Sequence, residues 1–459
     1  MKRLFAFILC LVTVISLCAC GAQEETPATE ATEATAAATD PATEPATEPT
    51  TPPAPVEVKK DFSSFANIVA DPKSWYEGLM ALPIANENMT EQELRQLCVD
   101  AMRYNLTFQW TPTMDLSYSF TLLERTSEVY LPQKIAYSGL FYCNNNAKGN
   151  VWKALNYYDV ETGAMDILAM NGDFLSVLSS ACARGCEWGW SRVSNSTGLE
   201  NMSSYNQYNS NISLVGPYTY LPGKYAFGNG DGTKRIIEDN GADVMLESYA
   251  AMKMADGVYS SSSYHVMMVA EDPVIVYDAN GKIDPAESYA IILEQDAVGS
   301  KTDKQDIKQS NGITLRQLGG VDRKYTFLDL MNKGYVPFTI KELIGEDPVE
   351  AAEAYIGSQN APVANGTDMV LDDIFSKTLF TNYAICTLEA QVRNPAGEVL
   401  LSEKYGPIST PLTMHCAIRS EEFSEKAPAF ANGENTVHIL VRLSTGELKE
   451  AFTTVLKIN

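Results

Sequence analysis

The stretch "SSACARGCEWGWSRVS" (residues 179–194) places two cysteines four residues apart at the start of an aromatic, helix-like run. Residues four apart lie on one helical face, and unpaired cysteines are often buried, so both thiols could simply belong to the core. A thiolate, however, is stabilised by the backbone dipole within the first helical turn. The pattern therefore favours Cys182, at the expected helix start, as a nucleophile and Cys186 as a core residue.

A thiol nucleophile needs an imidazole that takes its proton, and the chain has only three histidines. His265 stands at the head of the apolar segment "YHVMMV", where a packed core would favour an apolar side chain. A polar group that orients the imidazole would complete the site. Glu294, in the segment "LEQD", is the first candidate for this role, and Asp278 and Asp296 are the alternatives.

Five segments follow one another along the chain. They are "YSGLFYCNNN" (137–146), the cysteine run at 179–194, a predicted helix over 242–257 ending in "MADG", then "YHVMMV" (264–269), and finally "IILEQ" (291–295). This order resembles the NlpC-type and CHAP-type papain-like cysteine peptidases and amidases of bacterial cell walls. The resemblance implies an α+β domain in which Cys182 is the nucleophile, His265 the general base and Glu294 the third member of the triad. It implies no metal and no cofactor.

The resemblance also implies a function. It predicts a cysteine hydrolase that cleaves amide bonds in peptidoglycan peptides or another cell-surface peptide. Ala181 and Ala183 stand where these families usually have Asp and Ser. That departure favours the alternative, a non-catalytic cell-wall- or glycan-binding lipoprotein that retains the papain-like fold, whereas the isolated His265 favours the enzyme.

The N-terminal region has the composition of a targeting segment and a stalk. Lys2 and Arg3 precede a short apolar run that ends in "LCAC", which is typical of a secretory signal rather than of a spanning helix. The ending resembles a bacterial lipoprotein signal, which implies lipidation at Cys20 and an extracytoplasmic protein anchored to the cell membrane. Residues 21–60 repeat "PATE" three times without an aromatic residue, and this predicts a disordered Thr/Glu/Pro/Ala stalk.

The remaining chain divides into two predicted domains. Residues 61–345 begin with a helix over 90–105, in which Thr90 and Glu93 have the spacing of a capping box and Cys98 falls on the apolar face. Residues 346–459 alternate apolar and polar side chains between turn signals, which predicts an Ig-like β-sandwich. The overall prediction is a signal peptide over residues 1–20, the stalk, a papain-like α+β domain and a sandwich.

Charge and cysteine content exclude two classes of protein. The formal net charge of −24 leaves no basic face for non-specific nucleic-acid binding. Three of the nine cysteines lie in the predicted signal peptide, and the remaining six are too sparse for a disulfide scaffold. A single Cys386–Cys416 bridge is still compatible with the sequence.

Overall fold

The chain is a mixed α+β protein, described here by a computed structural model. The structure describes residues 60–122, 125–143, 148–195, 211–220, 230–296, 306–358, 361–367, 369–370, 373–374, 376–406, 411–416 and 434–457. The predicted signal peptide with Cys20, and the stalk as far as residue 59, lie outside the described residues. In the part of the chain that is described, no helix has the length and apolar character needed to cross a membrane.

The helices are short except for the second. They are α1 (Pro72–Met80), α2 (Glu91–Leu106), α3 (Val151–Leu155), α4 (Phe174–Leu178), α5 (Cys182–Trp190), α6 (Gly232–Asn240), α7 (Ala242–Ala250) and α8 (Phe327–Asn332), with 3-10 turns at Ser63–Phe65, Leu168–Met170 and Lys341–Ile344. The predicted capping box of α2 is confirmed, because the Glu93 backbone N–H donates to Thr90 Oγ1 and the Thr90 N–H donates to the Glu93 carboxylate. Cys98 is buried on that helix, as predicted.

The helix predicted over 242–257 was too long. Helix α7 ends at Ala250, and the chain then turns through Met254 and Asp256. Asp256 accepts hydrogen bonds from the Lys253 backbone N–H and from Arg95. These bonds to a buried carboxylate hold the segment in a turn, although its local pattern favours a helix.

The strands of the first part of the chain are β1 (Gln109–Pro112), β2 (Leu116–Leu122), β3 (Arg125–Leu131), β4 (Ala136–Ser138), β5 (Phe141–Tyr142), β6 (Ala164–Met165), β7 (Ser179–Ser180), β8 (Ile212–Leu214), β9 (Gly257–Ser260), β10 (His265–Val274), β11 (Tyr289–Glu294), β12 (Ile307–Lys308), β13 (Thr314–Gln317), β14 (Gly320–Thr326) and β15 (Val336–Ile340). Six of them form an antiparallel sheet in the order β14-β11-β10-β9-β15-β8. Five others form a sheet in the order β12-β13-β4-β1-β6. The six-stranded sheet holds the candidate site.

Helix α5 packs closely on α2 and on the six-stranded sheet. Gly189 makes this possible, since a Cβ atom there would lie only 2.7 Å from the carbonyl oxygen of Cys98 and 2.7 Å from Cε of Met268. Trp190, fully buried on the same helix, donates its indole N–H to the Ala255 carbonyl oxygen at 2.8 Å. These contacts fix the helix that begins with Cys182.

The C-terminal part consists of mostly antiparallel sheets. Its strands are β16 (Ala354–Ser358), β17 (Ala361–Pro362), β18 (Met369–Val370), β19 (Thr378–Thr381), β20 (Ile385–Arg393), β21 (Val399–Tyr405), β22 (Thr413–His415), β23 (Thr436–Leu443) and β24 (Leu448–Lys457). They form two sheets, β17-β16-β19-β22 and β18-β24-β23-β20-β21, in which only the short β18 runs parallel to its neighbour. Side chains from both sheets, among them Ile356 and Ile439, share one buried apolar cluster.

A second, larger apolar cluster fills the preceding part of the chain and also takes in Cys386. The two parts are in contact: Arg192, just after α5, donates to the Thr445 carbonyl oxygen at 2.6 Å. Residues Lys60–Asn459 form one compact unit. A domain boundary between residues 345 and 346 stays a prediction. Cys386 and Cys416 are both free and buried, so the bridge that the sequence left open is not formed.

Candidate functional site

Cys182 is the first residue of helix α5, as its sequence context predicts. Ala181 is the N-cap residue in an extended conformation, and no side chain caps the helix there. Strand β7 directly precedes the helix and pairs in parallel with β5, and this pairing anchors the chain immediately before the cysteine. Cys182 therefore lies in the turn whose backbone N–H groups have no intrahelical partner, while Cys186 lies one turn deeper.

His265 is the first residue of strand β10 and meets the thiol of Cys182. The imidazole and the Cys182 thiol interact closely enough to shift each other's pKa, and the thiol donates to the carbonyl oxygen of Tyr264 at 3.7 Å. Tyr264 has a left-handed backbone with φ of 47°, which is uncommon for a residue with a side chain. Such conformations cluster at functional sites, and this one turns the chain so that His265 starts its strand beside the thiol.

Glu294 is the carboxylate that contacts His265. It is the last residue of β11, and its Oε2 lies 2.8 Å from Nε2 of the imidazole. Since Nε2 faces Glu294, the nitrogen left for the thiol is Nδ1. Asp278 instead accepts the backbone N–H groups of its own exposed turn, and Asp296 lies 3.5 Å from a guanidinium nitrogen of Arg323. Of the three candidates, the structure brings Glu294 to the imidazole.

The two members of the thiol–imidazole pair shift each other's pKa. Burial raises the pKa of the Cys182 thiol, but the hydrogen bond and charge of His265 and the backbone N–H groups of Val266 and Ala183 outweigh it, so the pKa is lowered. Burial lowers the pKa of His265, but its hydrogen bonds to Cys182 and Glu294 outweigh it and raise the pKa to about 10. The arrangement therefore favours a thiolate beside an imidazolium.

Cys186 has the opposite environment. It is fully buried, and burial raises its pKa well above the ordinary value, with further contributions from the negative charges of Cys182 and Glu294. A thiol in this state is a poor nucleophile because the reactive species is the thiolate. The predicted difference between the two cysteines thus agrees with their surroundings.

Aromatic side chains enclose the pair. Tyr142, Tyr259 and Tyr335 are buried, and the pKa of each is raised by burial and then by neighbouring negative charge that includes the Cys182 thiolate. The Tyr335 ring meets the His265 ring edge-on with centroids 6.5 Å apart. Cys182 is only 8% exposed, so its thiol lies among buried side chains rather than on an open surface.

Three residues of strand β14 complete the surroundings of Glu294, and sequence reasoning missed them. Arg323 donates to Glu294 Oε1 at 2.7 Å, and the Tyr325 hydroxyl lies 3.2 Å from the same oxygen. Gly320 pairs with Glu294 across the strands. The period-two spacing of Arg323 and Tyr325 puts both on one face of a strand, but nothing local indicates which carboxylate that face meets.

Neither a cofactor nor a metal was expected from the sequence. Within the residues that the structure describes, no group of three or more His, Cys, Asp or Glu side chains is arranged to hold a metal ion. No protein-family model, no curated protein and no solved structure matches this chain. The resemblance to cell-wall peptidases therefore rests on the sequence segments that carry it.

Proposed function

We propose that this protein is a cysteine hydrolase that cleaves amide bonds in peptidoglycan peptides. One observation carries the proposal: a helix-start thiol, an imidazole and a carboxylate come together from three separate elements, with Cys182 and His265 shifting each other's pKa and His265 2.8 Å from Glu294. Nucleophilic thiol catalysis needs this combination, in which the base is itself oriented by a third group.

The proposed reaction follows from these three residues. The Cys182 thiolate attacks the carbonyl carbon of the amide, and backbone N–H groups at the start of α5 stabilise the oxyanion. The His265 imidazolium then protonates the leaving amine, which departs and leaves a thioester. Neutral His265 takes a proton from water, the hydroxide attacks the thioester, and the carboxylic acid leaves as the thiolate re-forms. Glu294 holds the ring in place and stabilises its positive charge whenever His265 is protonated.

The papain-like fold, the wall-peptide substrate and the location belong to the same proposal. A helix that presents a cysteine at its N-terminus to an antiparallel sheet that carries the histidine supports a papain-like arrangement. Two sheets around one apolar cluster support an Ig-like sandwich in the C-terminal part. Anchoring through lipidated Cys20 would hold the enzyme at the outer face of the membrane, within reach of the wall.

A non-catalytic wall- or glycan-binding lipoprotein is the second candidate. The observation that favours it is the enclosure of the nucleophile, since Cys182 is only 8% exposed. Ala181 and Ala183 beside the cysteine add to this reading. In that case the row of three residues would be a buried polar network of the fold, and wall material would bind without being cleaved.

Digestion of purified peptidoglycan separates the two candidates. The full-length protein is incubated with wall fragments, and newly released peptides and free amines are identified by mass spectrometry. Release that is lost in Cys182→Ser and retained in the matched Cys186→Ser variant supports the hydrolase. Retained binding to wall fragments without release by the wild type would overturn it in favour of the binding protein.

A further inference from the structure

The two oxygens of the Glu294 carboxylate, which contacts His265, have different hydrogen-bond partners. Glu294 has no exposed surface. Its Oε2 faces His265 Nε2 at 2.8 Å, whereas its Oε1 accepts from Arg323 Nη1 at 2.7 Å. The Tyr325 hydroxyl lies 3.2 Å from Oε1 and 3.4 Å from Oε2. Each oxygen thus has its own donor, and both ends of the carboxylate group are held.

Strand β14 is shaped to hold Glu294 in this position. Gly320 pairs with Glu294, and a Cβ atom at residue 320 would lie 2.6 Å from Cγ of Glu294 and 2.8 Å from Nε of Arg323. The pairing of β11 with β14 is irregular between Ile292 and Glu294, as at a β-bulge. Bulges re-aim side chains beside sites of this kind. The missing side chain at Gly320 leaves the space in which Glu294 and Arg323 meet.

We propose that Arg323, assisted by Tyr325, is a positioning residue for the Cys182–His265 pair because it keeps the enclosed Glu294 carboxylate ionised and fixes its orientation. This inference rests on the proposed function for its role in a reaction. The contacts that carry it exist independently of that role.

The chemical reason lies in the charge of a buried carboxylate. Burial without a cation favours the neutral acid, because the charged form loses its hydration. A neutral Glu294 would donate its own proton to Nε2, and the ring proton would then reside on Nδ1. Nδ1 faces the thiol, so this tautomer could not take the proton of Cys182. Arg323 opposes that state by pairing with the ionised form.

Arg323 also stands between two carboxylates. Its Nη1 lies 2.7 Å from Glu294 Oε1 and 3.5 Å from Asp296 Oδ2. Replacing the guanidinium by a neutral group would leave these two acidic side chains without the cation between them. Repulsion between neighbouring carboxylates favours protonation of one of them, and the fully enclosed Glu294 is the one for which charge is most costly.

Histidine NMR tests this inference separately from catalysis. The chain has three histidines, so selective ¹⁵N labelling of the full-length protein gives few signals, and His265→Gln assigns the one of interest. In Arg323→Gln we expect the titration midpoint of His265 to fall by at least about one pH unit, a tenfold change in its protonation equilibrium. Arg323→Lys should recover part of this shift, since it restores the charge without the planar fork.

The matched control is Arg103→Gln, which removes a guanidinium that bonds Asp322, the residue next to Arg323, at 2.7 Å. It should leave the His265 midpoint unchanged. A folded Arg323→Gln variant with the wild-type midpoint would overturn the inference. If Arg323→Gln does not fold, Tyr325→Phe decides: a smaller fall is expected, and no fall overturns the proposal. A shifted midpoint in a protein that releases no wall peptide would keep the positioning role and reject the hydrolase.

Discussion

His265 and Glu294 meet diagonally across two neighbouring antiparallel strands, with Nε2 and Oε2 2.8 Å apart. The register pairs Met268 with Leu293 and Val269 with Ile292, so continuing it places His265 opposite residue 296 and not opposite Glu294. Diagonal neighbours are farther apart than direct ones and need a long side chain to touch. Glutamate has that length, and the pairing of β11 with β14 is irregular between Ile292 and Glu294.

Thiol alkylation should distinguish the two cysteines of α5. At pH 6 we expect a small thiol reagent to label Cys182 at least about tenfold faster than Cys186, because only the former has a lowered pKa. Peptide mapping after short exposure gives the two rates. His265→Ala should slow the labelling of Cys182 by about tenfold or more, since the imidazolium that stabilises the thiolate is gone. Faster labelling of Cys186 would reverse the assignment.

The pH dependence follows from the two shifted groups. The pKa of His265 is raised to about 10 and that of Cys182 is lowered, so the ion pair persists between these limits. We expect hydrolysis to decline above about pH 10, where His265 loses the proton that the leaving amine requires. Alkylation of Cys182 should not decline there, because the thiolate remains. An alkaline limb of hydrolysis near neutral pH would contradict the assignment of His265.

The same shift predicts how stability changes with pH. A histidine whose pKa is higher in the folded state stabilises that state fully below its unfolded pKa of about 6.5. The contribution of His265 is then lost progressively as the pH rises through about 10.

Gly189→Ala should destabilise the protein although alanine is the better helix former. A methyl group would meet the backbone oxygen of Cys98 and Cε of Met268 at 2.7 Å, and helix α5 would have to move. We expect a loss of about 1–3 kcal/mol in the free energy of unfolding, as for other overpacked sites. Urea unfolding measures it. A gain of about 1 kcal/mol, as at an exposed helical glycine, would show that the interface is loose.

Asp256→Asn should be costly because it removes the buried counter-charge of a buried guanidinium and leaves only the exposed Glu91 beside it. Arg95 Nη1 lies 2.7 Å from Asp256 Oδ1, and both side chains are almost fully enclosed. Breaking such a pair typically costs about 3–5 kcal/mol in the free energy of unfolding. Glu91→Gln is the control, since Glu91 bonds the same arginine from an exposed position and should cost at most about 1 kcal/mol. Equal effects of the two variants would contradict this difference.

Cys20→Ser tests the predicted anchor. The variant should appear in the medium or accumulate as an unprocessed precursor, because the residue that would carry the lipid is gone. Detergent phase partitioning of the two proteins measures the difference. Unchanged partitioning of Cys20→Ser would reject the lipoprotein prediction.

Local sequence determined where helices α2 and α5 begin and how Cys182 differs from Cys186. Thr90 and Glu93 cap α2 through bonds between residues three apart, and Cys182 begins α5 where the preceding chain leaves a strand. Helix starts are readable because their signals lie within a few residues of one another. Helix α7 ends earlier than its pattern predicted, because Asp256 in the following turn bonds to Arg95, which is distant in the sequence.

Only the tertiary structure decided which carboxylate serves His265. Asp278, Glu294 and Asp296 are chemically alike in the sequence, and the choice depends on strand register and on the gap at Gly320. Arg323 could not be assigned to Glu294 for the same reason. Pairing between distant strands is set by how the whole sheet packs, and a shift of one residue would turn each of these side chains to the opposite face.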